Sequence, residues 1–294
     1  MKRLLIFVLT LCLLSGCSQT SEPARIAATT LPVYEFTSRL CEGTPLTVTR
    51  LVTEAVSCLH DYSLNVRQVK TAEAAETIVI SGGGLEEFME DILRDTDVID
   101  ASCGIALLVP EQHRHGGEEE EESHEGHHHE EDPHIWLSPV NAAVMAENIC
   151  RGLTLRYPQY KQQFQRNLEG LLQELDSLHT YGQEQLAELS CRDLITFHDG
   201  FSYFAGAFDL HILEAVEEES GSEASAKELI HLIEEVEHHD LPAIFTEKSG
   251  SVSAAGIIAR ETGCGQFTLD MAMAGDSYFD AMYHNIDTVK EALE

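Results

Sequence analysis

From Arg25 onward, short apolar runs alternate with longer amphipathic stretches. RIAATT, TVTRLV, TIVIS and DVIDAS carry the apolar and β-branched residues of buried or half-buried strands, while VYEFTSRL and LEEFMEDIL space their apolar residues as helices do. Strand and helix in that order predict a parallel sheet covered on both faces. Beyond Pro139 two helices follow one another. The second begins near Pro158, a residue suited to a first helical turn, and sets Phe164, Leu168, Leu171, Leu172, Leu175 and Leu178 on one face, continuing to about Leu189. A helix of that length is a rod of about 45 Å, long enough to act as a strut. The alternation then resumes with LITF, GFSYFAGAF, HILEAV, SAKELIHLIEEVEHH, AIFTE, VSAAGIIARETG, QFTLD and a last helix in YFDAMYHNIDTVKEALE. No internal repeat is obvious from residue identities.

The expected fold class is therefore α/β, with two lobes, each a parallel sheet flanked by helices, joined by a long rigid helix. The boundaries read as 25–157 for the N-terminal lobe, 158–189 for the linking helix and 190–294 for the C-terminal lobe. Open sheets of this kind place ligands beyond the carboxyl ends of their strands.

Residues 1–17 have a different character. Lys2 and Arg3 precede an apolar stretch, Leu4 to Leu14, too short to span a bilayer, and Leu14-Ser15-Gly16-Cys17 closes it. The segment reads as a signal peptide whose end resembles the lipobox of bacterial lipoproteins, with Cys17 as the lipidated residue and 18–24 (SQTSEPA) as a tether. That places the mature chain outside the cytoplasm, anchored to the cell membrane on its extracytoplasmic face.

Charge narrows the partners. The formal net charge is −33, and −35 without Lys2 and Arg3. Such a field repels nucleic acid and anionic headgroups and concentrates cations. Setting aside Cys12 and Cys17 leaves six cysteines: Cys41, Cys58, Cys103, Cys150, Cys191 and Cys264. Cys191–Cys264 and Cys58–Cys103 are the expected pairs by position, with reduced buried thiols an equal alternative. Gly82-Gly83-Gly84 reads as a tight turn, because no phosphate-loop spacing accompanies it and Glu86-Glu87 follow.

The candidate chemistry is that of a divalent cation. Between Glu111 and His134 lie seven histidines and ten carboxylates in 24 residues. Imidazole and carboxylate ligate borderline metals such as zinc, while so dense a glutamate run stays solvated; the competing reading is a solvated acidic linker. His113, His115, His124, His127, His128 and His129 are the accessory ligands this loop (111–133) would offer. Outside it, His60 in LHDYS and His198 in FHDGFSYF stand at or near carboxyl ends of strands. His134 opens the run HIWLSP, and Asp270 ends QFTLD. Three imidazoles and one carboxylate suit four-coordinate zinc, whereas manganese prefers more oxygen. Asp61 and Asp199, each directly after a histidine, read first as helix N-caps and second as acceptors behind a ligand. His179, His211, His231, His238, His239 and His284 read as ordinary polar groups.

The strings SCLHDYSL, DPHIWLSP, FHDGFSYFA and YFDAMYHNIDTVKEAL resemble the metal-binding lipoproteins that serve as substrate-binding proteins of bacterial zinc ABC importers, the adhesin-lipoprotein family. The likeness covers essentially the whole mature chain. It implies a buried metal in the interlobe cleft, a His-rich acidic loop ahead of the second ligand, and His60, His134 and His198 at the three histidine positions. It also implies Zn(II) as the transported ligand, a membrane permease with a cytoplasmic ATPase as partner, and a monomer. Two departures stand out. Glu247-Lys248-Ser249-Gly250 replaces a Glu-Pro-Gln-Phe-like string, and Asp270-Met271-Ala272-Met273-Ala274-Gly275 replaces Asp-Pro-Leu-Gly. Asp270 keeps its carboxylate in an altered turn, and Glu247 is a conceivable substitute. An extracellular zinc hydrolase is the rival class, disfavoured because there is no H-E-x-x-H and a fourth protein ligand would close the metal to water. A surface adhesin would share the fold.

Lipidation predicts that Cys17→Ala releases the protein from the membrane fraction or leaves an uncleaved precursor. Normal processing with undiminished membrane association would rule it out.

Overall fold

The computed structural model describes residues 25–56, 59, 62–109, 131–216, 225–250 and 252–294. Cys17, the tether, Cys58, His60, Asp61 and the histidines from 113 to 129 lie outside them. In chain order the first lobe contains β1 (Arg25–Ala28), α1 (Leu31–Cys41), β2 (Thr47–Arg50), α2 (Val66–Glu73), β3 (Thr77–Ile80), α3 (Glu90–Leu93) and β4 (Val98–Asp100). Then come α4 (Pro139–Arg156) and α5 (Lys161–Gln185). The second lobe holds β5 (Asp193–Thr196), α6 (Ser202–Ala207), β6 (His211–Ala215), α7 (Ala226–His238), β7 (Ala243–Glu247), α8 (Ser253–Thr262), β8 (Gly265–Leu269) and α9 (Tyr278–Leu293).

Both sheets are four-stranded and parallel, ordered β2-β1-β3-β4 and β6-β5-β7-β8. Each thus runs second, first, third, fourth. The lobes repeat one topology that residue identities do not reveal, and both aim their strand carboxyl ends at the seam between them.

The two-lobe α/β reading holds, with three local corrections. α2 is not marked by apolar spacing, since it buries only Gln68 and Ala72; it is nucleated by a capping box in which the Asn65 side chain accepts from the Gln68 amide and Gln68 returns the bond. The helix expected over LEEFMEDIL is a 3-10 turn at Glu87–Met89 followed by the single-turn α3. The linking helix has one 3-10 turn at Pro158–Tyr160 and runs from Lys161 only to Gln185, 25 residues or about 37 Å.

α5 buries Phe164, Leu171, Leu175 and Leu178 and packs against α1 and α4 on one side and α9 on the other. One continuous apolar core runs from β1 and α1 through α4 and α5 to α6, β8 and α9. Smaller clusters lie on the outer faces, one beneath α2 and α3 around Ala27, Leu51, Ala72, Ile78 and Met89, the other beneath α7 and α8 around Phe197, Leu232, Val236 and Ile258. Trp136, the only tryptophan, is wholly buried at the seam. Its indole N–H donates to the Met271 carbonyl at 2.7 Å, and its own carbonyl accepts from Tyr278 Oη at 2.9 Å.

The expected disulfides do not form, as Cys41, Cys103, Cys150, Cys191 and Cys264 are all free thiols. Cys191 and Cys264 do precede β5 and β8, but β7 lies between those strands. Two strand spacings are about 9.6 Å, beyond the roughly 7 Å that a disulfide spans between Cα atoms. Cys103 is exposed, and its expected partner Cys58 is outside the described residues.

The triple-glycine turn is a turn, with φ values of +83°, +64° and +88°, and it also cradles an anion, the chain's own Glu86. The Ser81 and Gly82 amides donate to the Glu86 carboxylate at 2.8 and 3.0 Å, and Thr29 Oγ1 at 2.6 Å. A Cβ on Gly82 would meet Asp100 Oδ1 at 2.1 Å, so only glycine fits. Burial is the largest influence on this carboxyl and pushes its pKa up to about 7 against the pull of those donors. Because the folded value lies above the unfolded one, this contribution to stability is complete below about pH 4.5 and is lost as the pH rises through about 7. Glu86→Gln, which does not ionise, should therefore flatten the pH dependence of the unfolding free energy from urea titrations between pH 5 and 8, by up to about 3 kcal/mol relative to the native chain. Parallel profiles would refute the assignment.

Candidate metal centre

His134 is placed by its neighbours on both sides. Pro133 precedes it, the 3-10 turn Ile135–Leu137 follows, and Trp136 in that turn is locked into the seam. Asp132 reaches forward across the proline. Its Oδ1 accepts from the His134 backbone N–H and lies 2.9 Å from Nδ1 of the ring. An ionised carboxylate only accepts, so Nδ1 carries the proton and Nε2 keeps its lone pair available for a metal. Both residues are buried, and Asp132 Oδ2 has no hydrogen-bond partner among the described residues.

His198 comes from the other lobe, two residues beyond β5, where Thr196 Oγ1 donates to its carbonyl at 3.1 Å. Its ring meets that of His134 edge to face, with centroids 5.2 Å apart and planes at 83°, and its Nε2 is buried. Gly200 makes this approach possible. A Cβ there would lie 2.7 Å from Met271 Cε, 2.9 Å from His198 Cδ2 and 3.0 Å from His134 Nδ1.

Asp270 follows β8 and is held by α9: its amide donates to Asn285 Oδ1 and its carbonyl accepts from Asn285 Nδ2, both at 2.7 Å. Its carboxylate accepts from the Ala272 amide through Oδ1 at 2.8 Å and from Lys248 Nζ through Oδ2 at 3.0 Å. Glu247 is buried at the end of β7 and accepts from the Ser249 amide at 3.3 Å.

The structure thus brings His134 and His198 together, while Asp270 and Glu247 stand at the neighbouring strand ends. Among the described residues no three histidine, cysteine or acidic side chains converge as a ligand set. His60 is outside the described residues, although Leu59 before it lies in the core. Asp199 does not cap α6, whose N-cap position is Phe201 and lacks a side-chain cap bond. His211, His231 and His239 sit beside Asp193, Glu214 and Glu235, as ordinary polar groups do.

The histidine-rich loop is tied to this centre at its stem. Leu108 and Asp132 form an antiparallel bridge, with the Asp132 amide donating to the Leu108 carbonyl at 2.8 Å. Tyr203 of α6 clamps both, donating to the Asp132 carbonyl and accepting from the Leu108 amide, each at 2.9 Å. Burial, the main cause, pushes the Tyr203 phenol up to about 12, so it keeps the proton it donates.

Sequence reasoning did not select Asp132, Gly200, Tyr203 or Asn285. Only Asp132 was readable: in Asp-Pro-His the proline restricts the aspartate to extended backbone, from which it can reach the second residue on.

A family model described as ZnuA, the periplasmic component A of a zinc-uptake complex, matches residues 26–292. The zinc-binding lipoprotein AdcA of Streptococcus pneumoniae (strain R6) is 30% identical over an alignment covering 100% of this chain and 62% of its own length, so the chain spans less than two thirds of that relative. A crystal structure of ZnuA superposes with a TM-score of 0.78 at 28% identity, covering 92% of this chain and 100% of the other. The Zn(II)-bound structure of S. pneumoniae AdcA gives 0.75 at 27% identity, covering 92% and 58%.

Two substitutions test the geometry. Asp132→Ala frees the His134 ring to rotate and should weaken metal binding by about 10- to 100-fold. Gly200→Ala drives a methyl between the two imidazoles and should weaken it by at least about tenfold, as overpacking of a tight site does. Chelator competition reads both, and undiminished affinity in either would remove that residue from the centre.

Proposed function

This chain belongs to the ZnuA family, and from that membership we propose that it captures Zn(II) outside the cytoplasm and delivers it to an ABC-type permease for high-affinity uptake. The observation that carries the reading is the pair formed by His134 and His198 across the seam, with Asp132 fixing the tautomer that leaves Nε2 of His134 for a metal. His60, His134 and His198 are the proposed ligands, with Asp270 the fourth. Three imidazoles and at most one carboxylate favour zinc over manganese, a harder ion that prefers oxygen. Lipidation at Cys17 would hold the protein at the membrane beside its permease, and the histidines of 113–129 would bind further zinc weakly.

A binding role also suits the centre's closure. His134 is buried, as is Nε2 of His198, and a catalytic zinc needs an open position with a base within reach of its water.

His60→Ala, His134→Ala and His198→Ala should each lower zinc affinity by roughly a hundredfold or more in chelator competition. Deleting residues 113–129 should reduce the zinc stoichiometry and spare the tightest site. A histidine variant with native affinity leaves the ligand set, and loss of the tight site on loop deletion would move a primary ligand into the loop.

A further inference from the structure

Lys248 follows the last residue of β7, and its backbone N–H donates to the Leu269 carbonyl at 2.9 Å, extending the pairing of β7 with β8 by one residue. That register sets Lys248 beside Asp270, with Nζ 3.0 Å from Oδ2. The two partners differ in freedom. Asp270 is tethered by Asn285 through both backbone groups and by the Ala272 amide through Oδ1, and its side chain is only 13% exposed. The lysine side chain is 66% exposed. The carboxylate is fixed, and the ammonium can swing into water.

We infer that Lys248 is a built-in competitor for the metal at Asp270. The inference rests on the zinc-binding reading and on Asp270 as its fourth ligand. Before a metal arrives, the ammonium neutralises a carboxylate that would otherwise face the seam as a mostly buried charge. A divalent cation taking Oδ2 would stand within about 5 Å of that ammonium, where like charges near a protein surface repel strongly. Zinc therefore displaces the lysine when it recruits Asp270. The lysine lowers the affinity of the complete site and hastens release, while the three imidazoles are untouched. In a protein that must give up its cargo, such a residue tunes how tightly the last ligand holds.

A double-mutant cycle tests this, with zinc competed against a chelator of known affinity and release followed in stopped flow. Lys248→Met should bind zinc about fivefold more tightly, the upper range for a partly exposed ion pair, and release it more slowly. Lys248→Arg, which keeps a cation in place, should stay close to the native chain. Asp270→Ala should cost more affinity in the Lys248→Met background than in the native one, so that the double variant shows none of the gain. Native affinity in Lys248→Met, or a gain that survives in the double variant, would overturn the proposal. A native chain that takes no zinc from the chelator would instead sink the zinc reading itself.

Discussion

The inner faces of the two sheets are buried in one core that they share. The apolar residues of β1, α1, α4, α5, α6, β8 and α9 form a single cluster, and α5 runs through its length. Fully burying a large apolar side chain contributes about 1.5–3 kcal/mol, so sliding or opening the lobes would expose many such groups at once. The Trp136 indole adds direction to this packing. Its hydrogen bond to Met271 ties the segment after His134 to the turn after Asp270, so the candidate ligands of one lobe are in register with those of the other.

That register explains the position of the centre. Parallel sheets with the same strand order place their carboxyl ends on the same side of each lobe, and the shared core brings those ends face to face. The proposed ligands then come from loops a residue or two beyond the strands, as His198 and Asp270 do. The backbone around each is held by a neighbouring side chain: Thr196 for His198, Asn285 for Asp270, Asp132 for His134. Such supports leave little for a bound ion to organise, which favours affinity over adaptability.

Much of this was legible in the chain because strands here are β-branched runs and the long helix repeats leucines at its own period. The exceptions have physical causes. α2 is held by its cap and two buried residues, so periodicity is silent. The turn at Glu86 is fixed by donors 4 to 57 residues away in the chain, which cut short the helix expected from LEEFMEDIL. The cysteine pairing failed because strand order, not strand identity, sets the distance between Cys191 and Cys264. His134 and His198 stood out by their surroundings, but their approach depends on Gly200, whose role appears only when Met271 and both rings are packed around it. The pairing of Lys248 with Asp270 likewise arises from the register of β7 on β8.

The clamp at Leu108, Asp132 and Tyr203 has a kinetic meaning. It fixes the C-terminal end of the histidine-rich segment two residues from His134. His127, His128 and His129 then lie five to seven residues along the chain from that histidine, a contour of at most about 25 Å. A metal ion held by those imidazoles would be confined to a small volume around the cleft, at an effective concentration of about a millimolar whatever its level in bulk solution. Transfer of zinc from these histidines to the proposed cleft ligands would then be an intramolecular step, set by the length of the connecting chain and not by the frequency of encounters in a dilute medium.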